Sequence, residues 1–171
     1  MNAPALTPSL RRPVPQTCLD ALAAHFGERL SLNPSVREHH GRDESPYPAV
    51  PPDAVVFAES TEDVVAAVQA CAAHGVPLIA YGSGSSLEGH VLAIEGGITL
   101  DVSRMNRVLS VNPDDLTVTV QAGVTRKQLN NEIRDTGLFF PIDPGDGDAH
   151  LYGLDDRGHR RVHAGEVADR R

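Results

Sequence analysis

Pro77-Leu-Ile-Ala-Tyr-Gly-Ser-Gly-Ser-Ser-Leu-Glu-Gly-His90 is the stretch from which the fold is read. Pro77–Tyr81 reads as a short strand that delivers the backbone into a run holding Gly82, Gly84 and Gly89. Glycine permits positive φ and lets main-chain N–H groups come close to an anion, which makes a nest for phosphate. Ser83, Ser85 and Ser86 add hydroxyl donors, and the stretch holds no Lys or Arg, so recognition would run through backbone dipoles. Three readings compete. A P-loop needs Lys-Ser/Thr after its last glycine, but His90-Val91 stand there, which excludes it. A Rossmann fingerprint lacks its third glycine, whose place Leu87 takes, although Asp101 lies about 20 residues on, where a ribose carboxylate would stand. That fingerprint must also open a helix, and Val91–Ile98 carries Gly96-Gly97 and no helical face. The third reading is a Gly/Ser surface turn with no ligand.

Outward from the loop, strand and helix alternate. Upstream, Ala54–Ala58 is a β-branched run, and Ser60 caps a helix with Asp63 at the box position. That helix has Val64, Val65, Val68, Cys71 and Ala72 as its expected face and Gly75 as its stop. Downstream, Gly97–Asp101 is a strand, and Arg107–Val111 and Leu116–Gln121 flank Asn112-Pro113-Asp114-Asp115 as a hairpin. Thr125 and Gln128 form a capping box that opens a helix ending at Gly137, and Leu138–Ile142 is the last strand expected. Near the start, Thr17 is the expected N-cap of a helix with Leu19, Leu22, Ala23 and Phe26 at helical spacing and Gly27 as its stop. A crossover unit mixed with an antiparallel hairpin makes the class α+β.

The boundaries follow from composition. Residues 1–15 hold four prolines and read as a flexible arm, and 16–52 as a helix followed by a proline- and charge-dense loop from Ser35 to Pro52. Residues 53–145 carry the alternating elements. Eleven of the 26 residues in 146–171 are charged, with no helix or strand period, so this tail reads as disordered. The chain carries 15 Lys+Arg against 23 Asp+Glu, a net charge of −8, and so lacks the cationic field that would hold nucleic acid. Its longest uncharged apolar run, Val64–Ala73, falls far short of the ~20 residues of a membrane span. Met1–Val14 has no apolar core of a signal peptide, which leaves a cytoplasmic placement. Cys18 and Cys71 lie on apolar helix faces and read as buried reduced thiols.

The strand with YGSGSSLEGH, then GGITLDVSRMNRVLSVNPDDLTVTVQAGVTRKQLN, then FFPIDPG, resembles the vanillyl-alcohol oxidase/p-cresol methylhydroxylase superfamily of FAD-binding domains. Within it, the similarity is to the FAD-linked D-lactate dehydrogenase/glycolate oxidase type. Arg37–Pro48, REHHGRDESPYP, resembles the N-terminal signature of the cytochrome-linked D-lactate dehydrogenases. The resemblance spans Ser35–Gly145. It implies that Gly82, Ser83, Gly84, Ser85, Ser86 and Leu87 cradle the FAD diphosphate, while Gly89 and His90 continue the loop under the flavin-bearing side. Pro141 and Asp143 match a PxDP motif that touches the cofactor. The SLEGH form is similar to members that hold FAD non-covalently.

The activity implied is oxidation of a D-2-hydroxy acid, D-lactate or glycolate, to the 2-oxo acid, with electrons passed to a cytochrome or quinone. A full-length relative would be cytoplasmic or peripheral to the inner membrane. Asp101 either serves as the ribose-type carboxylate or caps the turn after its strand. His39-His40 reads as a packing or hydrogen-bonding pair, and no catalytic residue or metal ligand is nominated. His150, His159 and His163 lie in the charged tail at spacings that carry no metal reading. Because the pattern lapses after Gly145, the chain reads as the first half of a p-cresol methylhydroxylase-type FAD-binding domain. The alternative to a contributing flavin domain is a truncated or frameshifted fragment that binds FAD weakly and does not turn over.

Overall fold

The structure, a computed structural model, describes residues 11–140 and the backbone of 159–162 and 168–169. These fall into two units, Met1–Asp101 and Val102–Arg171.

In the first unit, helix ends are set by local chemistry. The longest helix, Thr61–His74, starts where the Ser60 hydroxyl accepts from Asp63 N at 3.2 Å and stops at Gly75 in the left-handed conformation. Its buried face is Asp63, Ala67 and Cys71, while Val65 and Val68 are each 47% exposed. The expected face holds at Cys71 and is corrected at Val65 and Val68: small Ala67 and Cys71 lie at the four-residue interval that lets neighbouring elements approach closely. The helix Gln16–Phe26 packs against it and buries Cys18, Leu22 and Phe26 at the same interval. It begins behind Pro15 without a side-chain cap, so Thr17 is not the N-cap; its hydroxyl lies 3.4 Å from His74 Nδ1 instead.

A third helix, Pro34–His40, replaces part of the expected loop. Asn33 caps it by accepting from Ser35 N, and Pro34 occupies the first helical position, where no N–H is needed. The three helices are numbered α1 (Gln16–Phe26), α2 (Pro34–His40) and α3 (Thr61–His74).

The sheet contains β1 (Leu30–Ser31), β2 (Ala54–Phe57), β3 (Leu78–Tyr81) and β4 (Ile98–Asp101) in the order β1-β2-β4-β3. β2, β4 and β3 run parallel, and β1 pairs antiparallel on the far edge of β2. The crossover β2-α3-β3 leaves a gap that β4 fills. β4 is buried along its whole length and β2 at all but Phe57, as parallel strands covered on both faces require.

Asp63 locks the helices to one another. Its carboxylate takes a two-pronged bond from Arg29, one from His25 Nε2 at 2.8 Å and one from Glu59 N at 3.0 Å. The arm is not free at residues 11–15. Arg11 Nη2 donates to Asp53 Oδ1 at 2.7 Å, and Arg12 N donates to Glu95 O at 3.2 Å. Residues 1–10 lie outside the described part.

In the second unit, β5 (Val108–Asn112) and β6 (Thr117–Gln121) form the expected hairpin, with a register shift between Val108 and Ser110. Helix α4, Arg126–Glu132, is capped by Thr125, whose hydroxyl accepts from Gln128 N at 3.2 Å. Val118, Val120, Val124, Leu129, Ile133, Leu138 and Phe140 make one core. Asn130 fastens the end of β7 (Leu138–Phe139), since its Oδ1 accepts from Phe140 N at 2.6 Å.

Two further strands lie where no strand is expected. β8 (His159–Val162) pairs antiparallel with β6, and β9 (Ala168–Asp169) pairs with β7. An open strand edge recruits a neighbour through main-chain groups, so side-chain period does not announce such pairing. The rest of the tail read as disordered lies outside the described residues.

Candidate functional site

The parallel strands bring three residues into line at their carboxyl ends. Asp101 of β4 stands opposite Phe57 of β2 on one side and Tyr81 of β3 on the other. This edge is where parallel sheets present ligand-binding loops, and the glycine loop leaves from it directly after Tyr81. Above the row sits His40, the last residue of α2. Its ring is 4.4 Å from the Tyr81 ring centroid and 5.7 Å, edge to face, from that of Phe57. His39 is exposed and packs edge to face on His40, on a helix instead of a loop, and the side-chain hydrogen bonds of the two are made by His40. Tyr81 is buried; burial, followed by the charges of Asp101 and Asp43, pushes its phenol above the ordinary range.

The loop itself is shaped by glycine at two points. Gly84 has φ +72°, and a Cβ there would fall on the Tyr81 hydroxyl. Gly89 has φ +75°, and a Cβ there would come 2.8 Å from Tyr47 Cδ2. Both positions therefore accept only hydrogen. Among the described residues, the amides of Ser83, Gly84, Ser85, Ser86 and Leu87 find no protein acceptor. Five successive open N–H groups at a sheet edge form a concavity of positive dipoles. Ser83 and Ser85 hydrogen-bond to each other at 2.9 Å at the surface; turned outward, both hydroxyls can donate to one anion. Ser86 differs: its hydroxyl lies 2.9 Å from His90 Nδ1 and accepts from Glu88 N at 3.2 Å, inside the loop. Leu87 is 67% exposed at the tip. A diphosphate fits this cradle, since the donors are open and the glycines keep side chains out of it.

The structure thus brings Gly82 to His90 together in one loop. Pro141 and Asp143 lie outside the described residues, as do the side chains of His150, His159 and His163. Asp101 turns its Oδ2 to His40 Nε2, a partner 61 positions away that neither sequence reading of Asp101 supplied. Tyr81, His40 and Asp43 were not singled out for the loop. The only signal for Tyr81 was its place immediately before Gly82, at the end of an edge strand.

Comparison with known proteins bears on this loop. A family model described as an FAD binding domain matches residues 52–154. The match runs past Gly145, where the resemblance was expected to stop. A probable mitochondrial D-lactate dehydrogenase of Danio rerio is 47% identical over 127 residues, covering 74% of this chain and 25% of that protein. The mitochondrial cytochrome-type D-lactate dehydrogenase of Arabidopsis thaliana is 35% identical over 136 residues, covering 78% of this chain and 24% of that protein. The chain thus spans about a quarter of the length of these relatives. Among solved structures, p-cresol methylhydroxylase with bound substrate superposes with a TM-score of 0.70 at 21% identity, covering 78% of this chain and 28% of that one. Among the described residues, no helix is long and apolar enough to cross a membrane. Because the matched segment contains both the glycine loop and the parallel strands that aim it, the chain belongs to the FAD binding domain family, on the p-cresol methylhydroxylase-type fold, with FAD as its cofactor.

Proposed function

We propose that this chain supplies the diphosphate-binding part of a flavoenzyme that oxidises a D-2-hydroxy acid, D-lactate foremost, to the 2-oxo acid. The observation that carries the reading is the run of five open amides from Ser83 to Leu87 at the carboxyl edge of the parallel sheet. The D-lactate dehydrogenases among its relatives supply the substrate class.

In this reading the backbone of Gly82 to Leu87 and the Ser83 and Ser85 hydroxyls hold the two phosphates without a cationic side chain. Gly89 and His90 extend the loop, and Pro141 and Asp143 add the second contact region. FAD, when bound, supplies the two-electron oxidation, accepting the hydride from the substrate's α-carbon. The protein's part is to fix the cofactor's position. Non-covalent attachment is supported by His90, whose Nδ1 is engaged by Ser86 within the loop. Electrons would leave to a cytochrome or quinone, from an enzyme that is cytoplasmic or peripheral to the inner membrane. The test is anaerobic addition of D-lactate to the FAD-loaded flavoenzyme that contains this segment. Bleaching of the visible flavin absorbance by D-lactate and not L-lactate is the expected result; no bleaching by any D-2-hydroxy acid contradicts the reading.

A further inference from the structure

Tyr81 ends β3, an edge strand of the sheet, one residue before the glycine loop. It is 4% exposed. Its ring packs against two histidines, with the His40 centroid 4.4 Å away and the His39 centroid 6.1 Å away. His40 is itself tied at both ring nitrogens, to the Val36 carbonyl and to Asp101. A ring enclosed in this way holds its hydroxyl in one place, which is against Gly84. A Cβ built on that glycine would lie 2.4 Å from the Tyr81 oxygen. Gly84 is the second of the five residues whose amides are open.

A buried phenol ordinarily finds a partner for its O–H. Among the described residues, the Tyr81 hydroxyl has none. Nor is its oxygen sealed from solvent, although the ring beneath it is covered. Burial, followed by the charges of Asp101 and Asp43, raises the phenol, so it stays protonated and able to donate. Bare Gly84 thus does two things. Its positive φ shapes the loop, and its missing Cβ leaves the phenol oxygen uncovered.

We propose that Tyr81 is a ligand-binding residue of this site: its hydroxyl donates to a phosphate oxygen of the diphosphate that the open amides hold. The donor comes from the sheet, not from the loop, and it is fixed before the ligand arrives. The proposal rests on the FAD reading for the identity of that ligand. A purely structural Tyr81 would fill space with its ring, and its hydroxyl would be dispensable.

Tyr81→Phe separates the two roles, because it keeps the ring beside His40 and removes the oxygen alone. The whole 171-residue chain and this variant are compared by urea denaturation and by titration with FAD, ADP and inorganic pyrophosphate. The free variant should be as stable as the wild-type chain or more so, since the free protein loses no hydrogen bond. FAD and ADP should each bind the variant about tenfold more weakly, the loss of one donor to a charged acceptor. Pyrophosphate gives the direct reading. The chain has three Tyr and no Trp, so its tyrosine ultraviolet band is unobscured, and pyrophosphate adds no absorbance there. Pyrophosphate should perturb that band in the wild-type chain and leave it unchanged in Tyr81→Phe. Equal ligand affinities in the two proteins overturn the proposal. So does a lower urea midpoint in the variant, which would show the hydroxyl already bonded in the free protein. A pyrophosphate response that persists in Tyr81→Phe, or is missing from the wild-type chain, overturns it as well. If pyrophosphate perturbs the wild-type band and FAD does not bind, the functional reading fails and Tyr81 stands as a phosphate donor.

Discussion

His40 Nε2 lies 2.8 Å from Asp101 Oδ2, and both side chains are buried, while Nδ1 of the same ring lies 2.8 Å from the Val36 carbonyl. A carbonyl can only accept, so Nδ1 carries a proton, and a second proton must lie between Nε2 and Oδ2. The contact is a buried, charge-assisted bond that pins the end of α2 to the carboxyl end of β4. It also holds His40 over Tyr81, the residue on which Gly84 rests. Replacing His40 with Ala leaves the carboxylate of Asp101 without its histidine in a dry site, which costs about 3 kcal/mol of stability. Urea denaturation of His40→Ala, Asp101→Asn and the double variant checks this. The double variant should lose less than the sum of the two single ones.

Asp63 governs acid stability. Burial pushes its carboxyl up, but the Arg29 guanidinium, the Glu59 amide and His25 outweigh this and hold it down to about 2. A depressed carboxyl stabilises the fold above its unfolded value of about 4, and that stability fades as pH falls toward about 2. The shift corresponds to about 2 kcal/mol. Thermal melts between pH 5 and pH 2, interpolated in steps of roughly half a unit, should show a shallower acid loss in Asp63→Asn than in the wild-type chain.

Cys18 and Cys71 are free and buried on the facing helices α1 and α3. Burial, and then the neighbouring Cys18, pushes the Cys71 thiol up to about 12, and burial raises Cys18 as well. Neither thiol should react with a disulfide reagent in the native protein at pH 8, and both should react once it is unfolded. Rapid native labelling of either would contradict their burial.

Gly84→Ala should abolish flavin binding, and the cause is internal. The added methyl meets the Tyr81 hydroxyl and strains a φ of +72° before any ligand arrives. Tyr81→Phe in the same chain removes the atom it meets, so the double variant should recover part of the binding that Gly84→Ala loses. Equal loss in both would show that the strained φ alone decides.

Much of the scaffold was legible because its signals are local. Ser60 and Gly75 bracket α3, Thr125 opens α4, and Asn112-Pro113 turns the hairpin, each through groups within four residues. The Asn33-Pro34 pair that starts α2 is as local, but it was hidden by the proline and charge density that follows it. The buried face of α3 was misread because hydrophobicity favours Val65 and Val68. Packing kept Cys71 of the expected face and added Ala67, whose small size suits a close contact with α1. The partners that shape the site were not legible at all. His40 meets Asp101 across 61 residues, and Glu44 N donates to Ser86 O across two loops; such pairings exist only after the sheet has formed.

The central claim is that the open amides and serines of residues 82–90 bind the diphosphate of FAD, and a competition titration tests it most directly. FAD is titrated into the 171-residue chain with flavin fluorescence as the readout, and ADP is then added. The account predicts saturable binding that ADP displaces and that the double substitution Ser83→Ala with Ser85→Ala weakens by about tenfold or more, for two lost donors to a charged group. No saturable binding, or binding that neither ADP nor the double substitution affects, would contradict it.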